Sequence, residues 1–429
     1  MNRSSFLILT LFWLVLARPA GAEPQSQAAL LDVLAAASPG TAVEFDGALL
    51  DHAVAGRVRL ERIKLRARGA STRVLRDGVA KAIESSRRLV FSGGAVADPR
   101  LRIGLLLDPD TGALTGAISD RGELRSITRG QAADGAAIIV RDSDSQLPEG
   151  VDLEFACGNL DFDRPATAPS GLVPDTAATA RGGQLRFGVL AFDTDKEWLD
   201  NRFGNDTTAA NEWIEDLLVI SNTIFESQLD LRMLQGDTLL RVGSDPYSGT
   251  QADQAFLEEF GGYWESNYSG VDRTHAALIS GRSGSGFSAA GIAWVNSYCA
   301  EQQVGGSYSL NLLFYSNAVP TDISARVFAH EIGHNLGSVH THCYNPPIDE
   351  CYASESGCYS GPVSCPGGGN GTLMSYCNFS EGSGGAGCGQ NKLELAPAVE
   401  TLLNQRVNSN MPACIVSDIA LFQDRFEAD

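Results

Sequence analysis

The chain has 429 residues, enough for two or three domains at roughly 150 residues each, so a peptide-sized scaffold is excluded. Hydrophobic residues make up 43% and charged ones 20%, the balance of a folded chain and not of a disordered, collagenous or coiled-coil one. The net charge of −20, from 52 acidic and 32 basic residues, repels phosphate backbones and excludes nucleic acid as a partner.

Residues 1–22 have the pattern of a signal peptide. Arg3 supplies the charge, 6–16 form an apolar run, and Ala20-Gly21-Ala22 is a small-residue cleavage site. That run is too short for a bilayer, which takes about 20 residues, so no membrane anchor is expected and the protein is expected to be secreted, extracellular or periplasmic. Residues 23–160 hold short alternating stretches, as at 57–65 and 101–107, split by turn signals such as Asp77-Gly78 and Asp110-Thr111-Gly112. They predict a small strand-containing domain. Its basic run from Arg57 to Arg88 reads as a solvated face or as a docking face for the second half, since 185–429 holds 30 acidic and 11 basic residues. Residues 161–184, rich in Pro, Ala, Thr and Gly, predict a linker.

Beyond it, 185–192 predicts a buried strand, and Trp213, Leu217, Ile220 and Ile224 recur at helical spacing. A strand is expected at 229–234, a helix through Phe256, Phe260 and Trp264, and strands at 276–279, 291–295 and 310–315. Strands alternating with helices predict an α/β fold with a twisted, mostly parallel sheet. Past His340 the chain turns irregular and rich in Gly and Cys until a helix near 393–404. Eight of nine cysteines (Cys299, Cys343, Cys351, Cys358, Cys365, Cys377, Cys388, Cys414) lie in the second half, as a disulfide framework would, and they allow 105 connectivities. Residues 416–429 form a tail to which no role is assigned.

Four of the six histidines fall within thirteen residues. The core of that segment, His330-Glu331-Ile332-Gly333-His334-Asn335-Leu336-Gly337-Ser338-Val339-His340, has the form H-E-x-x-H-x-x-G-x-x-H. His330 and His334 are four apart and project from one helical face, as two ligands of one ion must. Phe328, Ile332 and Leu336 lie on the opposite face, where a core can pin the helix. Gly337 can take positive φ and end the helix, letting the chain fold back so that His340 serves as third ligand. Three imidazoles leave a fourth position open, the mark of a catalytic zinc, and Glu331 stands where a general base for the attacking water is needed. His342 is assigned to the surroundings of the site or the surface, and His275 to structure.

This segment resembles the metzincin clan of zinc endopeptidases, whose further mark is a methionine turn after the third histidine. Gly371-Thr372-Leu373-Met374-Ser375-Tyr376-Cys377 matches it. Within the clan the chain is most similar to the adamalysin or reprolysin group, from which Thr341 departs where Asp is usual and Tyr376 where Pro is usual. Met-Ser-Tyr is closer to the astacin and serralysin turn. The resemblance covers about 185–415 and implies a catalytic domain with one zinc, a protein or peptide substrate, Met374 beneath the metal, and Tyr376 as an oxyanion donor or a packing side chain. It also places 283–292 before the edge strand that binds extended peptide. The whole then reads as a secreted zymogen: signal peptide 1–22, pro-domain 23–160, linker 161–184, catalytic domain 185–415 and tail 416–429.

Cys157 is the odd cysteine, and a thiolate is a strong zinc ligand. In the adamalysin resemblance a Cys-Gly pair in the pro-domain blocks the metal, so Cys157-Gly158 is a candidate latch, making the chain's own pro-domain its inhibitor, with Arg181-Gly182 a candidate cut. Phe155-Ala156 and Asn159 do not match the usual flanks, and an incidental or differently paired cysteine is the alternative. Two rivals stand beside the peptidase: a metal-binding or adhesion module without turnover, which needs no Glu331, and a zinc hydrolase of a non-peptide bond.

Overall fold

The computed structural model describes residues 23–132, 135–142, 155–160, 184–282, 289–313, 321–367, 369–409 and 414–417. The expected signal peptide, the linker up to 183, the Gly-rich 283–288 and the tail beyond 417 lie outside them. Along the chain, helix α1 (Gln27–Ala36) precedes strands β1 (Ala42–Asp46) and β2 (Arg57–Ile63). A hairpin of β3 (Thr72–Arg76) and β4 (Val79–Ile83) leaves for a second sheet. Then follow β5 (Leu89–Ala95), β6 (Leu101–Leu107), β7 (Leu114–Asp120), β8 (Glu123–Ala132) and β9 (Gly135–Asp142). The first sheet has the order β1-β2-β5-β6-β7-β8-β9 and is antiparallel throughout, as short turns between alternating strands dictate. Ser26 caps α1, whose Leu30, Leu31 and Leu34 pack into that sheet's core with Phe45, Phe91 and Ile103.

The second sheet has eight strands. They are β10 (Phe155–Leu160), β11 (Arg186–Thr194), β12 (Leu231–Val242), β13 (His275–Ser280), β14 (Ala289–Trp294) and β15 (Tyr308–Leu312), with the β3-β4 hairpin. Their order is β10-β14-β15-β13-β11-β12-β3-β4; only the β14-β15 and β3-β4 pairs are antiparallel. A mostly parallel sheet is therefore what forms. Every residue of the central strand β11 is buried, which is why its sequence reads as a continuous apolar run and not as an alternation.

Helices cover this sheet: α2 (Lys196–Phe203), α3 (Thr207–Leu229), α4 (Gln254–Tyr268), α5 (Thr321–Leu336) and α6 (Pro397–Ser409). Asp195, Asp206 and Asp253 cap the first turns of α2, α3 and α4. Trp213, Leu217, Ile220 and Ile224 of α3 lie in the core as their spacing predicts. The sequence gives α1 and α2 no clear period, and both are findings of the structure. Of the basic run, Arg57 and Arg59 stay exposed on Glu44, whereas Arg73 and Arg88 turn inward onto Asp237 and onto Glu215 and Asp216. Both expected readings of that run apply, each to different arginines.

The eight later cysteines form Cys299–Cys414, Cys343–Cys358, Cys351–Cys377 and Cys365–Cys388. Among the described residues no helix is long and apolar enough to cross a membrane.

Candidate metal centre

Helix α5 is pinned from behind. Phe328, Ile332 and Leu336 enter the core, and Phe328 stacks on Phe192 of β11 at 5.8 Å between ring centroids. Asn335 fixes the helix against the sheet by donating to the carbonyls of Trp294 (2.8 Å) and Tyr308 (3.1 Å), at the ends of β14 and β15. His330 and His334 therefore point from the other face, 4.7 Å apart. Gly337, at φ 121°, ends the helix, its N–H bonding Gly333 O and His334 O. A side chain there would be strained and would strike Arg406. The chain turns back at once, and the ring of His340 comes to 4.7 Å from His334 and 5.3 Å from His330.

His334 Nε2 lies 3.1 Å from His330 Nε2 and 3.2 Å from His340 Nε2. The other nitrogens face outward: His330 Nδ1 meets Leu373 O at 2.7 Å, His334 Nδ1 meets Ser338 O at 2.7 Å, and His340 Nδ1 meets Glu355 Oε2 at 2.8 Å. Each of these partners only accepts, so each Nδ1 carries the proton and each Nε2 keeps its lone pair. Burial pushes the His330 pKa down to about 3 and lowers those of His334 and His340 as well, so the three rings are neutral at neutral pH. Three lone pairs aimed at one point repel unless a cation stands between them. Zinc held at 2.0–2.1 Å by tetrahedral nitrogens keeps those nitrogens roughly 3.3 Å apart, and this donor set fits it.

Two further groups of potential ligands exist among the described residues, His340 with His342, Cys343 and Glu355, and Asp349 with Cys351 and Cys377. Their cysteines are in disulfides, which leaves the three-histidine group as the one with every ligand atom available.

Glu331 is wholly buried, and its carboxylate lies against Gly291 of β14, where a Cβ would occupy the space of the carboxylate itself. Met374 is also wholly buried, with its sulfur beneath Gly333 of α5. Thr341, the departure from the usual Asp, ties the methionine turn to the third histidine: its N–H donates to Met374 O at 3.0 Å, and its hydroxyl donates to Ser375 Oγ at 3.0 Å. The Tyr376 ring packs 4.0 Å from His340, walled by Tyr352 and Phe379. At the edge of the sheet β10 runs parallel to β14, with Cys157 opposite Gly291 in the register.

Glu355 is the residue that spacing does not reveal. Its Oε2 accepts from His340 Nδ1 and from His342 Nε2, both at 2.8 Å. Burial alone would raise this carboxyl, but the hydrogen bonds from both imidazoles hold it well below the usual carboxylate range. His342 is therefore a buried buttress of Glu355 and not a surface group. His275 sits between the hydroxyls of Ser307 (3.2 Å) and Ser309 (3.0 Å), a structural place as expected. A carboxylate behind a ligating histidine fixes its tautomer and direction, and losing it typically costs 10–100-fold in metal affinity. Glu355→Gln is expected to weaken zinc binding by about that factor, measured by competition with a chelator, while Glu44→Gln, in the first sheet, leaves it unchanged.

Residues 185–383 match the family model Reprolysin_5, described as metallo-peptidase family M12. Among solved structures, metalloproteinase-II from Bacteroides fragilis is 13% identical, with 72% of this chain and 85% of that one covered at a TM-score of 0.38. A chaperone-substrate complex is 12% identical, with 72% and 39% covered at a TM-score of 0.28. No curated protein matches significantly. On the family match, the chain is metallopeptidase-like over residues 185–383, in the manner of family M12.

Proposed function

We propose that the protein is a zinc-dependent endopeptidase of the metzincin kind, closest to the adamalysin or reprolysin group but with an astacin-like methionine turn, exported and made as a latent precursor. The observation that carries this reading is the convergence of three Nε2 lone pairs beside a buried glutamate. His330, His334 and His340 would hold the ion, and zinc so bound acidifies water toward a pKa near 7 and polarises a carbonyl. Glu331 takes the proton of the attacking water and passes it to the leaving amine. Tyr376, from its place over His340, donates to the oxyanion, and Met374 supports the floor of the site from beneath α5. Glu355 and His342 hold His340 in direction.

The main-chain edge of β14 beside Glu331 suits an extended peptide better than a compact small molecule, which favours peptide over ester substrates. In the precursor that edge is paired by β10, and Cys157, in register with Gly291, would supply the thiolate that blocks the metal. The proposed division is a signal peptide 1–22, a pro-domain 23–160, a linker 161–184 cut near Arg181-Gly182, a catalytic domain 185–415 and a tail 416–429. Four disulfides favour an oxidising destination outside the cytoplasm. The test is incubation of the linker-cut protein with a denatured protein mixture, with new termini read by mass spectrometry. Cleavage at many internal bonds is expected. Hydrolysis of small esters alone, or binding without cleavage, would contradict the proposal.

A further inference from the structure

A pro-domain that is shed needs a surface that both parts can expose to water, and the contact in this protein is of another kind. The β3-β4 hairpin continues the second sheet, with Thr72–Arg76 paired in parallel to Thr238–Val242. Before it, Ala67 N–H donates to Gln235 O (2.9 Å) and Gln235 N–H to Leu65 O (2.8 Å). Helix α3 carries a row of buried and half-buried acidic groups that the N-terminal segment helps to satisfy; Glu226 also takes Arg232 and Glu215 also takes Asn211 from the C-terminal part. Asp216 accepts from Arg88 (2.8 Å) and Thr115 (2.9 Å), both N-terminal, and Glu215 accepts from Arg88 at 2.9 Å. Glu226 accepts from Arg102 and from Ser92 at 2.7 Å. Beneath these polar groups, Leu65, Val90, Leu106, Ala117 and Leu124 belong to the same apolar cluster as Trp213 and Phe328.

Taking 23–142 away would strip Asp216 of both partners, uncover the β12 edge, and open one shared core. Breaking a buried pair from one side is strongly destabilising, and an exposed, unpaired edge invites aggregation. β10 differs, since it joins the sheet only at its outermost position, against β14.

We propose that 23–142 is a permanent subunit of the mature protein: after a cut within 161–183 it stays bound as a separate chain, and only β10 withdraws from β14. The role given to β10 rests on the latent-peptidase reading; the retention of 23–142 does not.

The experiment uses the full chain with a viral-protease recognition sequence placed within 161–183. After cutting, the protein is passed over a sizing column in high salt and then examined on a denaturing gel. Two chains that elute together at the volume of the uncut protein are expected, because buried pairs are little screened by salt. Two separate peaks, with the C-terminal chain keeping its native circular dichroism and thermal transition, would overturn the inference. Arg88→Ala with Arg102→Ala should speed dissociation of the cut chains by at least about a hundredfold, while exposed Arg57→Ala should not. An unchanged dissociation rate in a folded double variant would count against these pairs as the clamp, and if it does not fold, the parent's elution decides. Peptidase activity is assayed on the same peaks. Co-elution without activity leaves retention standing and counts against the peptidase reading, whereas an active, separated C-terminal chain does the reverse.

Discussion

Glu331→Gln is expected to keep its zinc and lose turnover, with kcat falling by roughly 10²–10⁴-fold or more. The three histidines and their outward partners are untouched by the change, so the metal content should equal that of the parent. The amide has nearly the shape of the carboxylate and fits the same slot beside Gly291, so the fold should hold. What disappears is the carboxylate beside His330 that is proposed to take and return the proton. The check is metal analysis together with kcat on a peptide substrate. Near-normal turnover in a zinc-loaded variant would remove Glu331 from the chemistry.

Cys157→Ser is expected to convert a silent precursor into an active one without any cut. Eight of the nine cysteines pair among themselves, and the ninth stands in β10 opposite Gly291, the residue that abuts Glu331. A thiolate there would take the coordination position that water needs, and a serine hydroxyl is a far poorer ligand. Peptidase activity of the uncut variant should therefore appear where the parent shows none, at a level below that of the cut protein because β10 still pairs with β14. If both precursors are equally silent, or if Cys157 is found in a disulfide, the thiol is not the latch and β10 inhibits by covering the edge of β14 alone.

The part of the site legible in the sequence is the part made by local geometry. Spacings of four and six residues, a glycine at the helix end and an apolar stripe on the opposite face are rules of a single helix, and they place His330, His334 and His340 without reference to the rest of the chain. The alternation of strands and helices from β11 onward was legible for the same reason. Glu355 was not, because it reaches His340 from within the loop closed by Cys343–Cys358, and an acidic residue in an irregular, Gly-rich segment has no period to mark it. Thr341 looked like a departure from a pattern and is instead the tie between the third histidine and the methionine turn. The β3-β4 hairpin was visible as strands, but its partner β12 lies more than 150 residues on, and pairing at that separation leaves no trace in either segment. Arg88 and Asp216 illustrate the same limit: each reads as an ordinary surface charge until the fold brings them together in a half-buried pair.

The most direct measurement is of metal and activity together on the linker-cut protein. About one zinc per protein molecule is expected, with peptide cleavage abolished by a chelator and restored when zinc alone is returned. A metal-free protein that still cleaves peptides would contradict the account at its centre.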